Sequence, residues 1–150
     1  MISTSRLRLR PMVSPMWAVV VEMSTLKDVM TTEAFTISAD ASMVEAATGM
    51  AKGKLGSALI VQGSWLAGII TERDVLRAAA SGEDLNGVKV KDWMTKDPIT
   101  ASPDTDTEEA AATMFTHGFR HLPVTEGNEI LGVVSLRDVL SARIRRRSRS

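Results

Sequence analysis

Gly68-Ile69-Ile70-Thr71-Glu72-Arg73-Asp74-Val75-Leu76 returns later in the chain as Gly132-Val133-Val134-Ser135-Leu136-Arg137-Asp138-Val139-Leu140. Each copy is a glycine, a short apolar run, a hydroxyl residue, an arginine and an aspartate, followed by further apolar residues. Asp74 and Asp138 lie 64 positions apart. The same shift superposes Lys27-Asp28 on Lys91-Asp92, Met30-Thr31 on Met94-Thr95, Ser38 on Ser102, Asp40 on Asp104, Glu45-Ala46-Ala47 on Glu109-Ala110-Ala111, Met50 on Met114 and Gly63 on Gly127, with no gap. Turn, capping and apolar residues that stay in phase over so long a stretch mark a duplicated structural unit.

Outward from the repeated motif, each copy reads alike. Lys27 to Thr31 predicts a turn or single helical turn leading into the extended piece Phe35-Thr36-Ile37. Ser42 and Glu45, like Asp106 and Glu109, have the spacing of a capping box, so a helix should follow each. Met43, Ala46, Ala47, Met50 and Ala51 fall on one face of the first, and Ala110, Ala111, Met114 and Phe115 on one face of the second. Ala58–Val61 and Leu66–Ile70, joined by Gln62-Gly63-Ser64, predict a β-hairpin; Leu122–Val124 and Ile130–Val134, around Glu126-Gly127-Asn128, predict its partner. A second helix begins at Thr71 or Ser135.

The expected fold class is therefore α/β (α+β), each unit being β-α-β-β-α. A unit of about 50 residues buries too little surface alone, so the two should pack as a pseudo-twofold pair. The expected layout is an extension over 1–22, a first repeat over 23–80, a polar linker over 81–89, a second repeat over 90–143 and a basic tail over 144–150. For residues 1–22, rich in serine and arginine with no acid before Glu22, the simplest reading is an upstream start mis-assigned ahead of Met23; a targeting segment and an accessory arm are the alternatives.

Composition removes whole classes of function. The chain has no cysteine, so disulfides, thiolate nucleophiles and cysteine-held metals are excluded. Its zero net charge hides an acidic body: residues 23–142 carry 10 basic and 17 acidic groups, while arginines crowd both ends. A nucleic-acid-binding core is disfavoured on that ground. No apolar run approaches the roughly 18–20 residues of a membrane span. The two histidines, His117 and His121, flank Gly118 and are expected on different elements, which argues against a shared metal. No nucleophile–base pairing, P-loop or dinucleotide fingerprint is present, so an enzyme is not expected.

What the repeated motif can do follows from its chemistry. A hydroxyl at the end of a strand and start of a helix can receive a phosphate, because free backbone N–H groups point the same way. An aspartate three residues on can accept both hydroxyls of a ribose. The same two residues serve equally as helix cap and dipole complement.

The opening motifs Asp28-Val29-Met30-Thr31 and Asp92-Trp93-Met94-Thr95, the closing Gly-hydrophobic-x-Thr/Ser-x-x-Asp and the run Gly118-Phe119-Arg120-His121-Leu122-Pro123-Val124 together resemble the CBS domain family. The resemblance covers residues 26–80 and 90–143, as the tandem pair also called a Bateman module. It implies a regulatory module for an adenosine-containing ligand, AMP, ADP, ATP or S-adenosylmethionine, with no cofactor required. It further implies a cytoplasmic homodimer acting in trans on an unidentified protein target. By resemblance, one cleft combines Thr71, Asp74 and Ile69 with Trp93, Met94 and Phe119. The other combines Ser135, Asp138 and Val133 with Val29, Met30 and Leu55. Arg120, at the position of Gly56 in the first repeat, makes the second cleft the better site for a charged nucleotide. The alternative from another class is a ligand-free dimerisation module whose arginine tail contacts nucleic acid.

Overall fold

Caps set the helix boundaries in both repeats. The structure, a computed structural model, describes residues 24–149, with residues 145–149 described by their backbone alone. The expectations for residues 1–22 and for the tail arginines fall outside the described side chains. The first repeat contributes α1 (Leu26–Val29), β1 (Thr36–Ser38), α2 (Met43–Gly53), β2 (Ser57–Gln62), β3 (Trp65–Thr71) and α3 (Glu72–Ala80). The second contributes a 3-10 turn (Val90–Asp92), β4 (Thr95–Lys96), α4 (Thr107–His117), β5 (His121–Glu126), β6 (Glu129–Ser135) and α5 (Leu136–Arg149). Ser42 Oγ accepts from the Glu45 N–H at 3.0 Å, so α2 starts where its capping sequence predicts. Asp106 caps α4 through the Glu108 N–H at 2.7 Å, one residue earlier than the box spacing suggests. Ala51 and Phe115 depart from the expected apolar faces: both are exposed, because each sits at the edge of its helical stripe and turns away from the core that Met50 and Met114 enter.

The two sheets interleave the repeats. One runs β1-β2-β3-β4, with β1 parallel to β2 and the rest antiparallel. Its outer strand β4 belongs to the second repeat, Thr95 lying opposite Ile69. The other sheet is the β5-β6 hairpin, extended by single bridges from Thr31 to Val133 and from Ala101 to Val124. The 64-residue shift carries these bridges onto Thr95–Ile69 and Ile37–Ile60. It also relates the bridges Thr25–Asp106 and Ser42–Lys89. The pair is therefore pseudo-twofold in its hydrogen bonding as well as in its sequence.

The second repeat departs from the expected β-α-β-β-α at one point: the counterpart of β1 is only the Ala101 bridge. The cause is Pro123. In the first repeat the Leu59 N–H donates to Phe35 O at 2.8 Å. Pro123 occupies the equivalent place and has no N–H to give, so the ladder loses a rung.

The cores are exchanged in the same way. One hydrophobic cluster holds Met43, Met50, Ile60 and Ile70 from the first repeat together with Val90 from the start of the second. The other holds Met114, Leu122, Val124 and Val134 together with Leu26 from the start of the first. Leu26 and Val90 are fully buried, and each such side chain stabilises the fold by about 1.5–3 kcal/mol. Neither half completes its core alone. At the seam, a Cβ on Gly68 would lie 2.8 Å from Thr95 O, and one on Gly132 would run into the Thr31 carbonyl. Only glycine permits that approach of backbone to strand. Across the surface, Lys91 donates to Asp40 at 3.1 Å, and its hydrogen bond and charge, with the charge of Lys89, hold that carboxyl below its ordinary range.

Candidate functional site

The interleaving brings residues of the other repeat beside each Thr/Ser-x-x-Asp motif, Trp93 beside the first and Phe35 beside the second, at the positions expected for the first and second clefts. The second cleft is an open cavity of about 1000 Å³ whose walls come from both repeats. Val133, Ser135, Asp138 and the α5 residues Leu140, Ser141 and Ile144 form one side; Thr31, Ala34, Phe35, Leu55 and Leu59 form the other. At the start of α5 the Ser135 N–H donates to Asp138 Oδ2 at 2.9 Å, and the Asp138 N–H donates to Ser135 Oγ at 3.0 Å. This capping box orients both side chains. It uses one carboxylate oxygen and the acceptor side of the hydroxyl. Among the described residues Asp138 Oδ1 has no hydrogen bond, and the Ser135 hydroxyl proton is free to be donated.

Cations outnumber carboxylates in this cavity by three to two. Lys54, Arg120 and Arg137 line it, and among the described residues none of the three has an ion pair or a side-chain hydrogen bond. Lys54 is delivered to the rim by the turn that ends α2, where its backbone is left-handed with φ 55°. Two carboxylates, Glu72 and Asp138, face them. His121, the first residue of β5 and the partner of Ser135 across the hairpin, lies among all of these. Burial pushes its imidazole below the usual histidine range; Glu72 and Asp138 oppose that shift and Arg120 reinforces it.

The first cleft carries the same motif in a different state. The Thr71 N–H and hydroxyl both donate to Asp74 Oδ2, at 2.9 and 3.1 Å. The second oxygen, Oδ1, is taken by Arg77 at 3.3 Å. The Arg77 guanidinium also lies over the Trp93 ring, 5.4 Å from its centroid. Arg73 reaches across to the second repeat, donating to Gly118 O at 3.4 Å.

The residues expected from the resemblance divide accordingly. Ser135, Asp138, Val133, Leu55 and Arg120 come together around the second cavity. Val29 and Met30 pack on the second core, and Thr31, Ala34 and Phe35 line the cavity where they were expected. Thr71, Asp74 and Ile69 sit on β3 and α3; Trp93 and Met94 pack at the edge of the first core, against that strand. Phe119 lies against the second core, with the His117 ring centroid 5.8 Å away. His117 ends α4 and His121 opens β5, so the two are on separate elements. His121, Glu72 and Arg77 were not anticipated as site residues. Comparing the copies column by column would have flagged them, since they stand where the other repeat has Ser57, Leu136 and Ser141.

Comparison with known proteins agrees with this architecture. The family described as CBS domain matches residues 26–81 and 90–145. The CBS domain-containing protein YhcV of Bacillus subtilis is 34% identical over 118 residues, 78% of this chain and 84% of that protein. Among solved structures, the CBS-domain containing protein ATU1752 from Agrobacterium tumefaciens superposes with a TM-score of 0.75 at 30% identity, covering 80% of this chain and 99% of that one. The CBS domain pair of protein MJ0100, solved in complex with 5'-methylthioadenosine and S-adenosyl-L-methionine, does so with a TM-score of 0.75 at 25% identity, covering 81% and 96%.

Proposed function

The chain belongs to the CBS domain family as a tandem pair, and on that premise we propose that it is a regulatory module whose second cleft binds an adenosine-containing ligand bearing phosphate, such as AMP, ADP or ATP. The observation that carries this reading is the convergence, in one cavity, of a motif with spare hydrogen-bonding capacity and three cations that have no ion pair among the described residues. Asp138 Oδ1 accepts from a ribose hydroxyl. The Ser135 hydroxyl donates to a phosphate oxygen, beside the N-terminus of α5, where backbone N–H groups favour an anion. Arg120, Arg137 and Lys54 neutralise the remaining phosphate charge, Arg120 with a planar fork suited to it. Val133, Leu55 and Phe35 supply apolar surface for the purine. A cavity of this size suits a nucleotide, since ligand sites commonly span about 300–1,000 Å³.

Regulation follows from who owns the walls. The motif belongs to the second repeat, whereas Phe35, Lys54 and Leu55 belong to the first, so a ligand that touches both favours one relative placement of the halves. Any switch is limited by the difference in affinity between the two states. The output acts in trans, on a second copy or on an unidentified protein target, in the cytoplasm. S-adenosylmethionine, found with the similar MJ0100 pair, is a cation at its sulfonium and suits this cation-lined cavity less well than a phosphate ester. Calorimetric titration with AMP, ADP, ATP, S-adenosylmethionine and NAD tests the proposal. Binding of a phosphorylated adenosine that is lost in Asp138→Ala supports it; silence from all five overturns it.

A further inference from the structure

The 64-residue shift that relates the clefts places Arg77 at the position of Ser141, and Ser141 lines the second cavity. In the first cleft a guanidinium therefore projects from a position that in the second is a small hydroxyl. Its two contacts are with the groups a nucleoside would use. It holds Asp74 Oδ1 at 3.3 Å, the oxygen whose counterpart on Asp138 has no hydrogen bond among the described residues, and it covers the Trp93 ring at 5.4 Å. Asp74 is only 7% exposed and its Oδ1 is held by Arg77, so a ribose hydroxyl reaching that oxygen competes with the guanidinium. Arg73 adds a strap across the same cleft to Gly118 O, while its counterpart Arg137 stands free of such a bond among the described residues.

We propose that Arg77 is a built-in occupant of the first cleft, bound to its ribose acceptor and its stacking surface, so that the two clefts fill in order and the first opens only to a ligand that displaces the guanidinium. This rests on the reading of the second cleft as a nucleotide site and makes a separate claim about the first. The contacts are individually modest. With the guanidinium largely in solvent, the ion pair and the cation–π contact each contribute a few-fold, so together they weaken the first cleft by about tenfold, equivalent to ~1.4 kcal/mol. Removing Arg77 should recover that factor, and placing an arginine at 141 should impose it on the second cleft.

The test is calorimetry with AMP on the full chain, paired with fluorescence in a Trp17→Phe, Trp65→Phe background that leaves Trp93 as the only indole. The expected result is one tight equivalent for the unmutated protein, a second equivalent strengthened about tenfold in Arg77→Ala and Arg77→Gln with a Trp93 signal that saturates with it, and an affinity about tenfold weaker in Ser141→Arg. If both Arg77 variants leave the Trp93 response and the stoichiometry of the unmutated protein unchanged, the inference is overturned, whatever the second cleft does. If the second cleft alone fails to bind, while Arg77→Ala gains a Trp93-reporting site, the nucleotide reading of the second cleft falls and the role of Arg77 stands.

Discussion

Each hydroxyl belongs to a capping box with its aspartate, but the Thr71 hydroxyl also donates to Asp74 Oδ2, and a larger difference separates the two clefts. In the first, Asp74 has both oxygens bonded to the protein and an arginine covers the adjoining indole. In the second, one oxygen is spare and three cations lack partners among the described residues. Both copies of the motif cap a helix; among the described residues only the second leaves a carboxylate oxygen and a hydroxyl proton unbonded. Buried polar groups gain most from the partner they lack, so the open copy has the larger capacity for a ligand.

The sharpest way to break this contrast is to remove each aspartate in turn. Asp138→Ala should weaken AMP binding by about 100-fold, as a charge-assisted hydrogen bond is worth roughly 1.5–3 kcal/mol. Asp74→Ala should leave the tight site unchanged. Both variants lose a cap, costing about 1 kcal/mol, and Asp74→Ala also loses the Thr71 hydroxyl bond and the Arg77 ion pair, so its thermal midpoint should fall at least as far as that of Asp138→Ala. Equal losses of affinity in the two variants would remove the asymmetry.

Next in size is the seam that holds both clefts in place. Gly132→Ala drives a Cβ into the Thr31 carbonyl, a backbone atom with nowhere to go, whereas Gly68→Ala meets the flexible Met94 sulfur at 2.6 Å as well as Thr95 O at 2.8 Å. Overpacking of this kind costs about 1–3 kcal/mol. Gly132→Ala should lower the thermal midpoint by roughly 4–8 °C, with Gly68→Ala milder. A smaller effect at 132 would mean that the Thr31–Val133 bridge is not what locks the repeats together.

Smaller again is the loss of one cation. Arg120→Ala should weaken AMP by about tenfold, the scale of a charge-assisted contact at a partly exposed site, and leave adenosine untouched in a parallel titration. If both ligands weaken equally, Arg120 shapes the cavity and does not read the phosphate.

Much of this architecture was legible in the chain because it is written twice. The shift of 64 aligned turns, caps and apolar faces, and the hydrogen bonds obey the same shift. What the repeat concealed was ownership: Leu26 and Val90 read as the first residues of their own units, yet each is buried in the core of the other. Burial in a partner repeat leaves no local periodicity to detect. Val29 and Met30 illustrate the same limit, since the opening motif marks where the wall begins without showing that it faces the cavity two to six residues later, at Thr31, Ala34 and Phe35. The loss of β1 in the second repeat was readable, at Pro123, as a missing donor. Arg77 stands out against Ser141 in the aligned copies, but its contact was not readable there because it depends on a ring from another repeat.

His121 is the subtlest difference between the copies, standing where the first repeat has Ser57. Burial disfavours its charged form, and Arg120 adds to this against Glu72 and Asp138, so the folded imidazole binds a proton less readily than the unfolded one. The unfolded chain then takes up more protons as pH falls below about 6.5, the ordinary histidine value. Stability is fully present above that pH and declines from there down to the lowered folded value. His121→Asn should flatten this part of a plot of thermal midpoint against pH. A bound phosphate reverses the local balance by favouring the imidazolium, so the ratio of AMP affinities, unmutated over His121→Asn, should rise about threefold from pH 8 to pH 5.5. Taking the ratio cancels the titration of AMP itself. A ratio that stays constant would place the phosphate away from β5, and with it the end of the nucleotide that Arg120 is expected to hold.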